Sequence, residues 1–325
     1  MVLRSEVSVS GSAAKIDLHH PLVTLGSCFA DHLGQRLREN KFNTLVNPFG
    51  TCYNPLAIHK LLRYSITQAE PDAKLFLEVD GHARHFDFHS SFTAERQPDL
   101  LNLLNTAIGI AHAHLLQTDV VLITYGTSWA YQHKSSGRVV ANCHKIPGAQ
   151  FEKRLITQQE VVHDFATVYS QLKAVRRNVR VILTVSPVRH LRDTIELNSV
   201  SKAVLRTSCH ELAGSFADVE YFPAFEILID DLRDYRFYEA DLIHPTPLAI
   251  EYIWNIFQQR YFSSATQQLL QTWQKLRSAI AHRAFQPASA AHQKFLAATL
   301  QQLQQLSAHL PLQAEIDQLQ SQQHA

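Results

Sequence analysis

The chain is short of three things, and each shortage excludes a class of protein. It has four cysteines in 325 residues. Cys28, Cys52, Cys143 and Cys209 lie far apart, with neither a C-x-x-C pair nor a zinc-type spacing. A disulfide framework is not expected in a chain this long; reduced thiols in a cytoplasmic compartment are. Charge of one sign is also missing, since 30 basic residues stand against 29 acidic ones for a net +1. That removes the basic footprint of a nucleic-acid binder and of a polybasic membrane anchor. No apolar run approaches the about 18–20 residues that a bilayer crossing needs. Met1 to Ser12 is polar, carries Arg4 and Glu6, and has no apolar run before a small-residue cleavage site. The expectation is a cytoplasmic protein that meets no nucleic acid and no membrane.

What is present is a strand–helix alternation from residue 21 to about 260. Buried-type strands are expected at 22–25, 119–124 and 180–185, with shorter ones at 42–46 and 219–222. Helices are expected between them. Asn54-Pro55 and Thr246-Pro247 each read as an N-cap followed by proline at the first helical position. Thr157-Gln-Gln-Glu160 reads as a capping box for a helix running to about Val175. Leu75 to Phe88 alternates about Asp80-Gly81, a hairpin signal. This order predicts an α/β fold: three α/β/α layers about a mostly parallel, doubly wound sheet. Beyond Phe262 the composition turns to Gln, Ala and Leu. Two helices broken near Pro287 are expected there, as an α-helical extension over 263–325 appended to an α/β domain over 1–262. Such helices could pair copies of the chain into a homo-oligomer.

Ligands of open parallel sheets sit beyond the carboxyl ends of the strands. The turns after Leu25, Thr124 and Val185 all lie there. The first, Leu22-Val-Thr-Leu-Gly-Ser-Cys-Phe-Ala30, presents two nucleophilic residues, Ser27 and Cys28, at the start of a helix whose apolar face is Phe29, Leu33 and Leu37. Free N–H groups and the partial positive charge of a helix N-terminus favour a thiolate at such a place. Late in the chain, Asp241-Leu-Ile-His244-Pro245 sets an Asp three residues before a His. Such an Asp can accept from one imidazole nitrogen and leave the other as a general base. Leu242 and Ile243 are expected to anchor that loop inward. Arg189 and His190, at a strand's carboxyl end, suit a carboxylate or phosphate on a substrate, Arg by its planar fork of donors; an ion pair of Arg189 with Asp193 or Glu196 is the plainer use. The 19 histidines show no H-E-x-x-H or other ligand spacing, so no metal and no cofactor is expected. His112 and His114 are among those expected to face solvent.

A Gly-Ser-Cys turn after the first strand, joined to a late D-x-x-H before the last helix of the domain, resembles the SGNH (GDSL-like) hydrolase superfamily. More closely the chain is similar to the GSCFA-domain family, through Gly26-Ser27-Cys28-Phe29-Ala30. Asn47-Pro-Phe-Gly50, Gly126-Thr-Ser-Trp-Ala130, Asn142-Cys-His-Lys145, Ser186-Pro-Val-Arg-His190 and Asp234-Tyr-Arg-Phe-Tyr238 fit the same pattern. The resemblance covers roughly residues 20 to 260 and implies an SGNH/flavodoxin-like sheet. It also implies a hydrolase, of esterase or acyl-transfer type. Laid on the superfamily's Gly-Asp-Ser block, Ser27 stands where the Asp would be and Cys28 at the nucleophile, with Ser27 its rival. His244 becomes the base and Asp241 its orienting partner. Gly50 falls at the second-block glycine, and Gly126 opens the third block. There Ser128 replaces the superfamily's asparagine, a weaker donor, and Asn142, with His144 beside it, could supply an amide. The substrate implied is an acyl ester on a small molecule, carbohydrate or lipid. A catalytically silent binding module and a metal-dependent hydrolase are the alternatives.

Overall fold

A computed structural model describes residues 5–282, 285–286 and 289–323. The central sheet has five strands: β1 (Leu22–Gly26), β2 (Thr44–Val46), β5 (Val120–Tyr125), β9 (Arg180–Val185) and β10 (Val219–Phe222). All neighbours pair in parallel, in the order β2-β1-β5-β9-β10. Within this sheet that is the 2-1-3-4-5 order of flavodoxin-like folds, with the winding reversing between β1 and β5. Every residue of β1 and β5 is buried, as sheets covered on both faces require.

The period of two along the strands sorts their side chains onto two cores. Val23, Leu25, Val121, Ile123, Val181, Leu183 and Val185 face a core shared with α2 (Pro55–Thr67), α3 (Gln97–Leu115), α4 (Gln158–Val175) and α5 (Ile195–Ser215). Leu22, Val120, Leu122 and Ile182 face the opposite core, with α1 (Cys28–Glu39), α7 (Pro247–Tyr261) and the single-turn α6 (Ala224–Glu226). The chain is thus a three-layer α/β/α structure. Asn54 caps α2 through Ala57 N–H, Thr246 caps α7 through Ala249 N–H, and the capping box of Thr157 and Glu160 opens α4. β3 (Phe76–Val79) and β4 (His82–His85) form the hairpin about Asp80-Gly81.

Three features depart from the sequence reading. A second antiparallel sheet, β7-β6-β8, occupies β6 (Trp129–His133), β7 (Arg138–Val140) and β8 (Phe151–Leu155). Its strands are short and mostly half-buried, so no clear hydrophobic period marks them. The extension holds three helices, α8 (Ser264–Ala281), α9 (Ala290–Leu306) and α10 (Gln313–Gln323). The chain turns at Leu310-Pro311-Leu312, whose leucines are buried in the extension's own apolar cluster; Pro287, the expected break, lies outside the described residues. His112 and His114 are half-buried rather than solvent-facing, and tie α3 to Ser65 O of α2 (2.8 Å) and to Leu22 O of β1 (3.0 Å).

β1 ends where α1 must start at once, and Gly26 makes this possible. Its φ is +134°, and a Cβ there would lie 2.2 Å from Thr124 O on β5. Gly26→Ala is therefore expected to cost about 3–5 kcal/mol, from strain and a backbone clash together. Urea unfolding of the variant against wild type measures it.

Candidate active site

The turn that carries the nucleophilic residues is stapled on every side. Gly26 N–H donates to Asn47 Oδ1 (2.9 Å), Ser27 N–H to Thr124 O (3.1 Å) and Cys52 N–H to Gly26 O (2.9 Å). Asn47, itself at φ 37°, donates from Nδ2 to Asp31 Oδ1 on α1 (2.7 Å). The Asn47-Pro-Phe-Gly50 loop thus braces the turn; it does not reach over it. Gly50 sits at φ 76° with His89 packed where a Cβ would be, and its N–H donates to Asn47 O (2.8 Å). That donor is committed, which corrects the expectation of an oxyanion role for Gly50.

The two nucleophile candidates part company in three dimensions. Ser27 is fully buried, and its Oγ has no hydrogen-bond partner among the described residues. Cys28, the first helical residue, is half-buried and opens on a cavity of about 380 Å³. His244 opens on the same cavity, with Tyr53, Trp129, His190 and Arg192 among its other walls. The backbone N–H groups of Cys28 and Phe29 face the thiol and lower its pKa. Burial, joined by Asp31, pushes it up by more, so the resting residue is a thiol. The N-terminal position alone had suggested a thiolate; desolvation, which a sequence does not display, outweighs it.

Asp241 grips its own loop. Its Oδ1 accepts from Ile243 N–H (2.9 Å) and His244 N–H (3.0 Å), and its Oδ2 lies 2.7 Å from His244 Nδ1. The His244 hydrogen bond, with the two backbone donors, holds the carboxyl down at about 2. Leu242 is not an inward anchor: it is 47 % exposed, at φ 59°. Its carbonyl does the anchoring, by accepting from Arg189 Nη1 (3.2 Å), while Arg189 N–H donates to Ile243 O (3.3 Å). The Arg189 guanidinium lies 4.0 Å over the Tyr238 ring. Arg189 therefore holds the D-x-x-H loop against the end of β9, and Asp193 pairs instead with Lys153. His190 lines the cavity as a neutral imidazole, pushed down to about 3 by burial, then by Lys202 and His244.

The remaining oxyanion candidates turn away. Gly126 N–H donates to Tyr53 O (2.8 Å). Ser128 is fully buried, and its Oγ donates to Ser201 O (3.2 Å). Asn142 Oδ1 accepts from His144 N–H (2.8 Å), and the buried His144 places Nε2 2.9 Å from His85 O. None of these five (Gly50, Gly126, Ser128, Asn142, His144) lines the Cys28 cavity. Sequence reading missed Lys202 altogether. From α5 its ammonium, fully buried, donates to Gly126 O (2.7 Å) and Ser186 O (2.8 Å), the carbonyls just past β5 and β9. A lysine amid Ser201 and Ala203 carries no motif, and only its burial singles it out. A larger cleft, about 1270 Å³, lies between β2 and the Ala308–Pro311 turn and contains none of Cys28, Asp241 and His244.

The model of the GSCFA family matches residues 21–257. The chain belongs to the GSCFA family. The residues Gly26 to Ala30, which spell the family's name, are the turn just described, and a second family model, the C-terminal domain of GSCFA domain proteins, matches residues 273–325. No curated protein matches this GSCFA chain. Among solved structures it is similar to a Streptococcus pneumonia protein provisionally described as a platelet activating factor. The identity is 12 %, over 75 % of this chain and 85 % of that one, with a TM-score of 0.41. It is also similar to a Clostridium thermocellum family 3 carbohydrate esterase, at 13 % identity over 78 % of this chain and 97 % of that one, with a TM-score of 0.31.

Since the Asp241 carboxyl is depressed, its grip on His244 is complete above the usual carboxylate range near pH 4 and is lost only as pH falls through about 2. The neutral His244 ring is expected to carry its proton on Nδ1. Nitrogen-15 NMR at alkaline pH reads the tautomer, and Asp241→Asn should turn one dominant form into a mixture.

Proposed function

We propose that this GSCFA chain is an SGNH-like hydrolase or acyltransferase that acts on acyl esters through Cys28, His244 and Asp241. The observation that carries the reading is that Cys28 and His244 open on one cavity while Ser27 is sealed beneath the sheet edge. Asp241 keeps a proton on His244 Nδ1 and so leaves Nε2 free to act as the base. Nε2 takes the thiol proton as the Cys28 sulfur bonds to the ester carbonyl carbon. Because the thiol rests protonated, base assistance is a requirement of this site. The tetrahedral oxyanion faces the N–H groups of Cys28 and Phe29 at the start of α1, which serve as its donors. Collapse breaks the ester C–O bond, and His244 returns the proton to the departing alcohol. Water, or a second acceptor, then attacks the thioester with His244 as base, and the free thiol is regained.

A silent binding module is the second reading, and the inward-turned Ser128 favours it: the side-chain donor at the superfamily's asparagine position is absent from the cavity. For a metal-dependent hydrolase, the described residues hold no group of three His, Cys, Asp or Glu placed to share an ion. We also propose that residues 263–325 form a separate α-helical unit, because Trp273, Leu296, Leu303 and Leu319 build a core of their own.

p-Nitrophenyl acetate and an iodoacetamide probe, each followed by peptide mass mapping, test the reading. Acylation at Cys28 is expected, abolished in Cys28→Ala, kept in Ser27→Ala, and slowed about 10²–10⁴-fold in His244→Ala. Equal, slow labelling of all four cysteines with no acyl-enzyme would establish the silent module instead.

A further inference from the structure

Besides its histidines, the Cys28 cavity has Arg189, Arg192 and Asp193 as charged side chains in its wall, and two of these are spent. Arg189 donates to Leu242 O and lies over the Tyr238 ring, which fastens the D-x-x-H loop. Asp193 pairs with Lys153, whose ammonium stands 4.8 Å over the Trp129 ring. Arg192 is left. It is exposed, and among the described residues it has neither a hydrogen bond nor an ion pair. The cavity onto which Cys28 and His244 open therefore carries one uncommitted charge in its wall, and that charge is positive.

Arg192 is the middle residue of a single turn, Leu191–Asp193, between β9 and α5, and that turn is held on every side. His190 N–H donates to Asn198 Oδ1 on α5 (3.0 Å), and Thr194 N–H closes on Leu191 O (3.2 Å). Asp193 ties the turn to β8 through Lys153. Thr194 then caps α5 through Leu197 N–H, at φ 74° and ψ 163°. A β-branched residue enters that backbone region only under strain, and such strain persists where the surroundings over-determine it, typically around functional sites. The turn is thus set in place while the one cation it presents to the cavity has no partner in the fold.

We propose that Arg192 is a specificity-determining residue of this site, and that the substrate is a small acyl ester bearing a carboxylate, which the guanidinium receives. This rests on Cys28 and His244 being the reacting groups. A guanidinium offers a planar fork of donors that meets both oxygens of a carboxylate. One uncommitted positive charge balances one negative charge, which suits a carboxylate better than a doubly charged phosphate. The cavity, about 380 Å³, lies near the lower end of the range for small-molecule pockets, so it suits a compact ester. Val140, Val188, Leu191 and Ile243 supply apolar wall for the rest of that ester.

Iodoacetate carries the carboxylate that iodoacetamide lacks, and both react with the same thiolate. The ratio of their rates at Cys28, read at one pH by peptide mass mapping, therefore cancels the thiol's own ionisation. It reports the anion contact whether or not the protein is a hydrolase. Arg192→Gln should lower that ratio about tenfold, near the low end of what a hydrogen bond to a charged group is worth. Arg192→Lys should keep most of it, since the charge remains and only the fork is lost. An unchanged ratio in Arg192→Gln overturns the proposal. Esters give the second arm. Acylation of Cys28 by mono-p-nitrophenyl adipate is set against p-nitrophenyl hexanoate, and by 4-acetoxybenzoate against its methyl ester. The charge then lies first on the acyl side and next on the alcohol side. Wild type should prefer at least one anionic ester over its neutral counterpart, and Arg192→Gln should lose that preference. Acyl-enzyme formed with no such preference overturns the substrate class and leaves the hydrolase reading standing. A rate ratio that falls in a protein no ester acylates keeps Arg192 as a carboxylate contact and overturns the hydrolase reading.

Discussion

The contact between Gly26 and the Thr124 carbonyl is the constraint from which the site follows. At the carboxyl end of β1 the backbone takes φ +134° at Gly26, where a side chain would run into the Thr124 carbonyl of β5, and α1 leaves at that point. Ser27 drops into the interior, and its N–H docks on Thr124. Cys28 is left as the first residue whose side chain meets the cavity. The reversal of winding between β1 and β5 opens the crevice there, as it does in other doubly wound sheets.

Around that contact the molecule answers its polar groups from a distance. Asn47 reaches the Gly26 N–H and Asp31, Arg189 reaches the Leu242 carbonyl, and Lys202 reaches the ends of two strands. Each is a side chain that secures backbone with no strand partner of its own, which a loop-built site needs if its groups are to be held in place. The balance at Cys28 shows the electrostatic side of the same arrangement. The helix N-terminus and Lys202 favour the anion, burial and Asp31 oppose it, and burial is the largest.

A second Asp–His array lies in the core. Asp164 faces His59 Nδ1 at 2.8 Å, and His59 Nε2 lies 2.7 Å from Tyr125 OH. His59 and Tyr125, the last residue of β5, are fully buried, so this array ties α2 and α4 to the sheet. Asp241–His244 differs by exposure, not by pair geometry. The same two residue types thus brace a core in one place and, in another, set a histidine on the wall of a cavity.

Much was determined by the sequence alone. Strand runs with the right period, proline at the first helical position after Asn54 and Thr246, and the Thr157–Glu160 box are local signals, and they located the parallel sheet and its helices because local backbone preference and the core's demand agree there. Asp241 and His244 were legible for the same reason: three residues of loop suffice to bring them together. The tertiary structure alone decided the rest. Whether Ser27 or Cys28 meets the cavity depends on how the Gly26–Ser27 turn docks on Thr124 of β5, ninety-eight positions away (124 − 26). The use of Arg189 as a loop brace, the inward turn of Ser128 and the burial of Lys202 arise from elements that meet only on folding. Burial, which reverses the charge preference at Cys28, and long-range hydrogen bonds leave no spacing to read.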